Sequence, residues 1–307
     1  MRKKILPQLI MTCLMVMIIA IIAKVLTLAL NTDVKANDVY ASIPKENVCV
    51  ALNYHRVRDF SIWDKVIEKL TDNKELTTYS LYKDEFSSQM DYLIKSGAYF
   101  TTPEELAEFR KEGVFPDKCV FISFDDVDIS VYNNAFPILK EREIPFTLFI
   151  IAGQVGNKDF NNFEMASWEQ LHEMNDSGLA SFGSHTYDMH YLEDGKAQFL
   201  DENMLDKFEK DIKKSKEVIQ KELGIETTCL AYPFGEHSDG VAKCVKNAGF
   251  KEAFILSPHS IDSYSDPYSQ CRYLIDRENF HKIVIPWLES IGDGSFCFNF
   301  LEVVQYY

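Results

Sequence analysis

The stretch Cys119-Val120-Phe121-Ile122-Ser123-Phe124-Asp125-Asp126 runs from an apolar segment straight into two adjacent carboxylates. A run this short and this apolar suits a strand buried on both faces, the habit of parallel sheets. Working outward from Cys119–Phe124, similar runs occur at Val48–Tyr54, Phe146–Ala152, Ala180–Ser184, Thr228–Tyr232, Ala253–Leu256 and Cys271–Ile275. Helical patterns lie at Lys83–Ser96, Pro103–Lys111, Asn133–Arg142, Ser167–Ser177, Met204–Leu223, Gly240–Ala248 and Arg277–Ser290. Pro103 followed by Glu104 and Glu105 marks a helix start, and Gly97, Gly113, Gly178, Gly224 and Gly249 follow helical runs as stops. Strands alternating with helices in this way predict a parallel sheet covered by helices, as a barrel or a doubly wound fold.

The unusual polar residues fall just past strand ends: His55, Asp125 with Asp126, His185, and the Pro233-Phe234 turn. Enzymes of these fold classes place their chemistry there. Neighbours in extended chain point in opposite directions, so the two aspartates suit different tasks, one toward a cation and one toward water or substrate. An aspartate pair also serves as a turn or helix cap. His185 and His190 are five residues apart, a spacing for a loop rather than one helix face, and two loop histidines are often nothing more. With Asp126 they make two imidazoles and one carboxylate, a set that leaves coordination positions open for water and substrate. His55, after Asn53 and Tyr54, reads by itself more readily as a satisfied polar residue than as a catalyst, though histidine is the side chain able to supply a proton near neutral pH. Tyr232-Pro233-Phe234-Gly235 is a tight turn whose backbone N–H groups could hold an oxyanion.

Four segments together resemble the polysaccharide deacetylases of carbohydrate esterase family 4: Ala51–Val57, Phe124-Asp125-Asp126, Ser184–His190 and Ala231–Gly235. Within that family the likeness is to the branch acting on biofilm poly-β-1,6-N-acetyl-D-glucosamine, and it extends from about Val48 to about Asp276. The resemblance implies a distorted (β/α)7 barrel. It implies a divalent metal, zinc first among the candidates, on Asp126, His185 and His190. Asp125 would be the general base, His55 the general acid, and the Phe234 backbone N–H part of the oxyanion hole. The implied substrate is an N-acetylglucosamine polymer; the same machinery would serve a β-1,4 polymer of peptidoglycan or chitin type, and a catalytically silent glycan-binding module would keep the fold without needing the metal. Where the usual motif has an arginine this chain has Ala231, which leaves Arg272 as a candidate to orient the base, and no aspartate matches the one that tunes the acid histidine.

The remaining features set the context. Arg2, Lys3 and Lys4 precede an apolar segment to Leu30, so residues 1–30 read as a signal peptide or membrane anchor, 31–46 as a linker and 47–307 as the deacetylase domain. Leu9 to Leu30 is long enough for a ~30 Å hydrocarbon core at about 1.5 Å per residue. The catalytic portion is therefore expected at the outer membrane surface or secreted. A net charge of -15 argues against a nucleic-acid partner. The seven cysteines include no C-x-x-C pair and read as buried thiols. Nothing in the sequence specifies an oligomeric state.

Overall fold

The computed structural model describes residues 43–44, 46–59, 61 and 74–291. The predicted signal or anchor segment 1–30 and most of the 31–46 linker lie outside the described residues. Among the described residues, no helix is long and apolar enough to cross a membrane.

Eight parallel strands form the main sheet: β1 (Cys49–Tyr54), β2 (Tyr99–Thr101), β3 (Cys119–Asp126), β4 (Phe146–Ile150), β5 (Ala180–Ser184), β6 (Cys229–Ala231), β7 (Glu252–Leu256) and β8 (Gln270–Leu274). Seven close into a ring in the order β1-β8-β7-β6-β5-β4-β3 and back to β1. The expected (β/α)7 barrel is thus the observed one, and each of its strands corresponds to a predicted run. β2 is the addition. It pairs with Cys119–Phe121 of β3, on the side where β4 takes over from Ser123 onward. The distortion is visible in the seam between β5 and β6, which rests on the single register pair Leu230↔Ser184.

Strand parity sorts the side chains. Cys119 and Phe121 of β3 point into the barrel with Cys49, Ala51, Phe149, Cys229, Ala231 and Phe254, while Leu106, Phe115 and Ile261 complete that cluster. Val120, Ile122 and Phe124 belong instead to the larger core between barrel and helices, with Leu93, Ile138, Leu139 and Leu171. The same alternation carries Ser123 and Asp125 inward. Close packing shows at Gly183, where an added Cβ would stand 2.3 Å from Phe149.

The covering helices include α1 (Lys83–Lys95), α2 (Pro103–Glu112), α3 (Trp168–Asp176), α4 (Leu205–Leu223) and α5 (Asp239–Asn247). Thr102 and Glu105 form a capping box at the start of α2, and Gly113 closes it in a left-handed conformation. The pattern predicted over 133–142 opens on a π-helical turn at Val131–Ala135, with regular helix only from Phe136, and the one over 277–290 is interrupted by another at Phe280–Val284. Cys49, Cys119, Cys229 and Cys244 are buried free thiols, as expected, and Cys271 is free and half-buried.

Candidate active site

β3 continues through both aspartates, with Asp125 opposite Phe149 and Asp126 opposite Ile150 of β4. At Asp126 the chain turns left-handed (φ 65°), Val127 follows at φ 65°, and the Val127 N–H donates to the Asp125 carbonyl at 2.7 Å. Left-handed backbone is rare for a valine, and such strain collects at functional sites. The turn ends the strand alternation at Asp126, so the two adjacent carboxylates serve one strand end with separate partners.

Asp125 is 2% exposed and Arg272 fully buried. Arg272 grips it with both forks, Nη1 to Oδ1 at 2.7 Å and Nη2 to Oδ2 at 2.8 Å. Nη1 also donates to Ser123 Oγ at 3.1 Å. Burial pushes the Asp125 pKa up, but Arg272, His185 and His55 outweigh it and hold the carboxyl below its ordinary value. The arginine from β8 thus fills the role left open by Ala231, and Ala231 serves through its backbone. Its carbonyl lies 2.8 Å from His185 Nδ1. A carbonyl only accepts, so Nδ1 donates to it, which leaves Nε2 as the ring nitrogen facing Asp126.

His185 Nε2 lies 3.6 Å and His190 Nε2 3.4 Å from Asp126 Oδ1. The ligand atoms of Asp126, His185 and His190 all fall within 4.8 Å of one another. Asp126 Oδ1 is buried and accepts no hydrogen bond. Burial raises its pKa, yet His190, His185, His55 and Arg56 together hold the carboxyl well below the usual carboxylate range. Two imidazole nitrogens facing an orphaned carboxylate oxygen suit a divalent cation, and the donor set fits zinc. The loop carrying His190 is tied down by Asp211 of α4, which accepts the N–H groups of Tyr187 (2.7 Å) and Asp188 (3.0 Å).

His55 sits where β1 ends, its ring edge-on to Tyr79 with centroids 5.0 Å apart. Its Nδ1 is buried without a hydrogen-bond partner. Burial lowers its pKa to about 4 against the opposing pull of Asp125 and Asp126. The free protein therefore holds His55 neutral at pH 7. Phe234 occupies the expected turn with φ 61°, and its ring centroid lies 4.7 Å from that of His190. All six predicted site residues thus come to one end of the barrel, around strand ends β1, β3, β5 and β6.

Three participants escaped the sequence reading. Arg56 reaches Asp126 Oδ2 at 3.4 Å and Glu75 at 3.3 Å, and Asp211 anchors the histidine loop. The signal for Arg56 was available, since a basic residue directly after an apolar strand asks for a partner. Asp211 and Glu75 carried no local signal.

An arginine-clamped carboxylate beside a two-histidine, one-carboxylate set, at the C-terminal mouth of a parallel barrel, suits hydrolytic chemistry. Comparison with known proteins narrows the class. The family model described as polysaccharide deacetylase matches residues 112–253. The poly-β-1,6-N-acetyl-D-glucosamine N-deacetylases of Staphylococcus epidermidis and Staphylococcus aureus are each 37% identical to this chain, over 79% of it and 84% of theirs. The solved structure of IcaB from Ammonifex degensii superposes with a TM-score of 0.71 at 34% identity, covering 81% of this chain and 100% of that one. A de-N-acetylase from Aggregatibacter actinomycetemcomitans, 20% identical with a TM-score of 0.66 over 78% of this chain and 99% of its own, shares the fold. The chain belongs to the polysaccharide deacetylase family. It is accordingly a polysaccharide N-deacetylase.

Proposed function

We propose that this chain is a metal-dependent hydrolase that removes N-acetyl groups from poly-β-1,6-N-acetyl-D-glucosamine at the outer face of the cell membrane or in secreted form. The polymer is supported by the two staphylococcal relatives, named for that substrate and 37% identical over 79% of this chain. The location rests on the basic and apolar N-terminal segment. The observation that carries the metal dependence is the convergence of Asp126, His185 and His190 on one point, where the buried Asp126 Oδ1 accepts no hydrogen bond.

A divalent ion on those three side chains, zinc fitting best, would polarise the acetyl carbonyl and ease the ionisation of water there. Asp125 accepts the proton of the attacking water. The Arg272 clamp keeps it ionised and fixes its orientation. His55, neutral before substrate arrives, takes up a proton released within the site and delivers it to the departing sugar amine. The backbone N–H of Phe234 faces the developing oxyanion. Acetate leaves, and each uncovered amine makes the polymer more cationic.

The test is acetate release from β-1,6 and β-1,4 N-acetylglucosamine oligomers, with Asp125→Asn, His185→Ala and bound-metal analysis. The proposal expects stoichiometric metal, preference for the β-1,6 oligomer and loss of activity in both variants. Full activity in both variants refutes the mechanism. Preference for the β-1,4 oligomer reassigns the polymer. A protein that binds no metal and releases no acetate is a silent glycan-binding module.

A further inference from the structure

Arg56 follows His55 in sequence and is only 7% exposed. Its backbone is held in a short parallel ladder of Arg56–Arg58 with Ser80–Tyr82. Its side chain meets three carboxylates, Asp126 at the end of β3, Asp128 just past it and Glu75 from a separate segment. Nη2 lies 3.4 Å from Asp126 Oδ2, Nη1 3.3 Å from Glu75 Oε1, and Nε 3.7 Å from Asp128 Oδ2. The guanidinium carbon stands 3.7 Å from the centre of the Phe163 ring. A planar fork with an aromatic face beneath it is an environment that suits arginine and not lysine.

The two oxygens of Asp126 have been divided. Oδ2 faces Arg56, while Oδ1 faces both imidazole Nε2 atoms and accepts no hydrogen bond. A carboxylate at the end of a strand, on a left-handed residue, is free to rotate unless something holds one oxygen. We infer that Arg56 is a positioning residue that holds Asp126 Oδ2 so that Oδ1 is presented, together with His185 and His190, to the divalent cation. The inference rests on the metal-site reading proposed above.

A competing effect has the opposite sign. A fixed positive charge beside a metal ligand repels the incoming ion, so an arginine acting through charge alone would weaken binding. Glu75 and Asp128, on the other arms of the same guanidinium, offset that charge. What survives the cancellation is orientation. Partners of this kind, one step removed from the ion, typically change metal affinity by about 10–100-fold when lost.

The experiment measures zinc affinity of the full chain by competition with a chromophoric chelator, alongside the thermal midpoint of each metal-free protein. Arg56→Met should bind zinc about 10–100-fold more weakly. Arg56→Lys, which keeps the charge and loses the fork, should recover part of that loss. Zinc binding by Arg56→Met as tight as wild type, or tighter, overturns the inference and assigns the residue to charge balance or packing. Should Arg56→Met fail to fold, Arg56→Lys decides alone: weakened affinity supports positioning, and unchanged affinity overturns it. If the wild-type chain itself binds no zinc, the metal site fails, and the Arg56 inference falls with it in a distinguishable way.

Discussion

Replacing Arg272 by methionine removes the positive half of a pair in which Asp125 is 2% and Arg272 0% exposed. The methionine fills much of the volume beside Phe149 and Phe254, whose rings flank the guanidinium carbon at 5.0 and 5.8 Å, so the change is chiefly electrostatic. Removing one partner of a buried pair costs roughly 3–5 kcal/mol, because the other charge is left uncompensated. The orphaned carboxyl has an escape, which is to take up a proton. In the wild type its folded pKa is depressed, so the pair's stabilisation is present above the unfolded value of about 3.9 and fades as pH falls through the folded value. In Arg272→Met burial is still opposed by His185 and His55, but the largest opposing charge is gone, so the folded pKa rises. Where it passes the unfolded value the sign reverses, and stability falls as pH rises through it. Protonated Asp125 is no base, and a general base contributes on the order of 100–10,000-fold. Acetate release by Arg272→Met should therefore drop by up to about 100-fold at pH 7, the bound cation opposing part of the shift, and recover partly at higher pH. Adding Asp125→Asn should restore about 1–3 kcal/mol of the lost stability in urea unfolding, since it removes the orphaned charge. An Arg272→Met protein with wild-type stability and an unshifted acid limb in its pH–rate profile would refute the clamp.

Much of this site was legible because parallel barrel strands, covered on both faces, announce themselves as unbroken apolar runs. The polar residues ending those runs then point to the catalytic mouth. Arg272 was legible only through the missing arginine at Ala231; the run Cys271–Ile275 that holds it adds the physical reason, since charge there needs a counter-charge. What stayed hidden depends on tertiary contact. β2 has only three residues, one of them the exposed Tyr99, and owes its extended form to pairing with β3. Asp125 and Asp126 looked like the end of a strand because aspartate disfavours sheets, yet the ladder to Phe149 and Ile150 keeps them in it. The pKa of His55 was likewise unreadable, since burial sets it to about 4 and burial is a property of the packed barrel.

Two further outcomes follow from the site's electrostatics and its turn. His55 has a folded pKa lowered to about 4 from an ordinary ~6.5, so its neutral form stabilises the metal-free protein above pH ~6.5. That contribution is lost as pH falls from ~6.5 toward 4, by at most about 3 kcal/mol at about 1.36 kcal/mol per unit. Urea unfolding of chelator-treated protein across this range should show the loss, and His55→Asn should flatten it; an unaltered slope rejects the assignment. Gly235→Ala addresses the oxyanion turn. Gly235 has φ +71°, and an added Cβ would stand 2.3 Å from Leu256 Cβ and 2.6 Å from its backbone nitrogen. Backbone cannot yield as a flexible side chain can, so the turn itself must shift, at a cost of roughly 1–3 kcal/mol. That turn carries Phe234, whose ring packs against His190, but none of the three side chains proposed to bind the cation. Acetate release at saturating zinc should accordingly fall while zinc affinity stays near wild type. If kcat survives a shift that lowers the thermal midpoint, the Phe234 N–H is not what holds the developing charge.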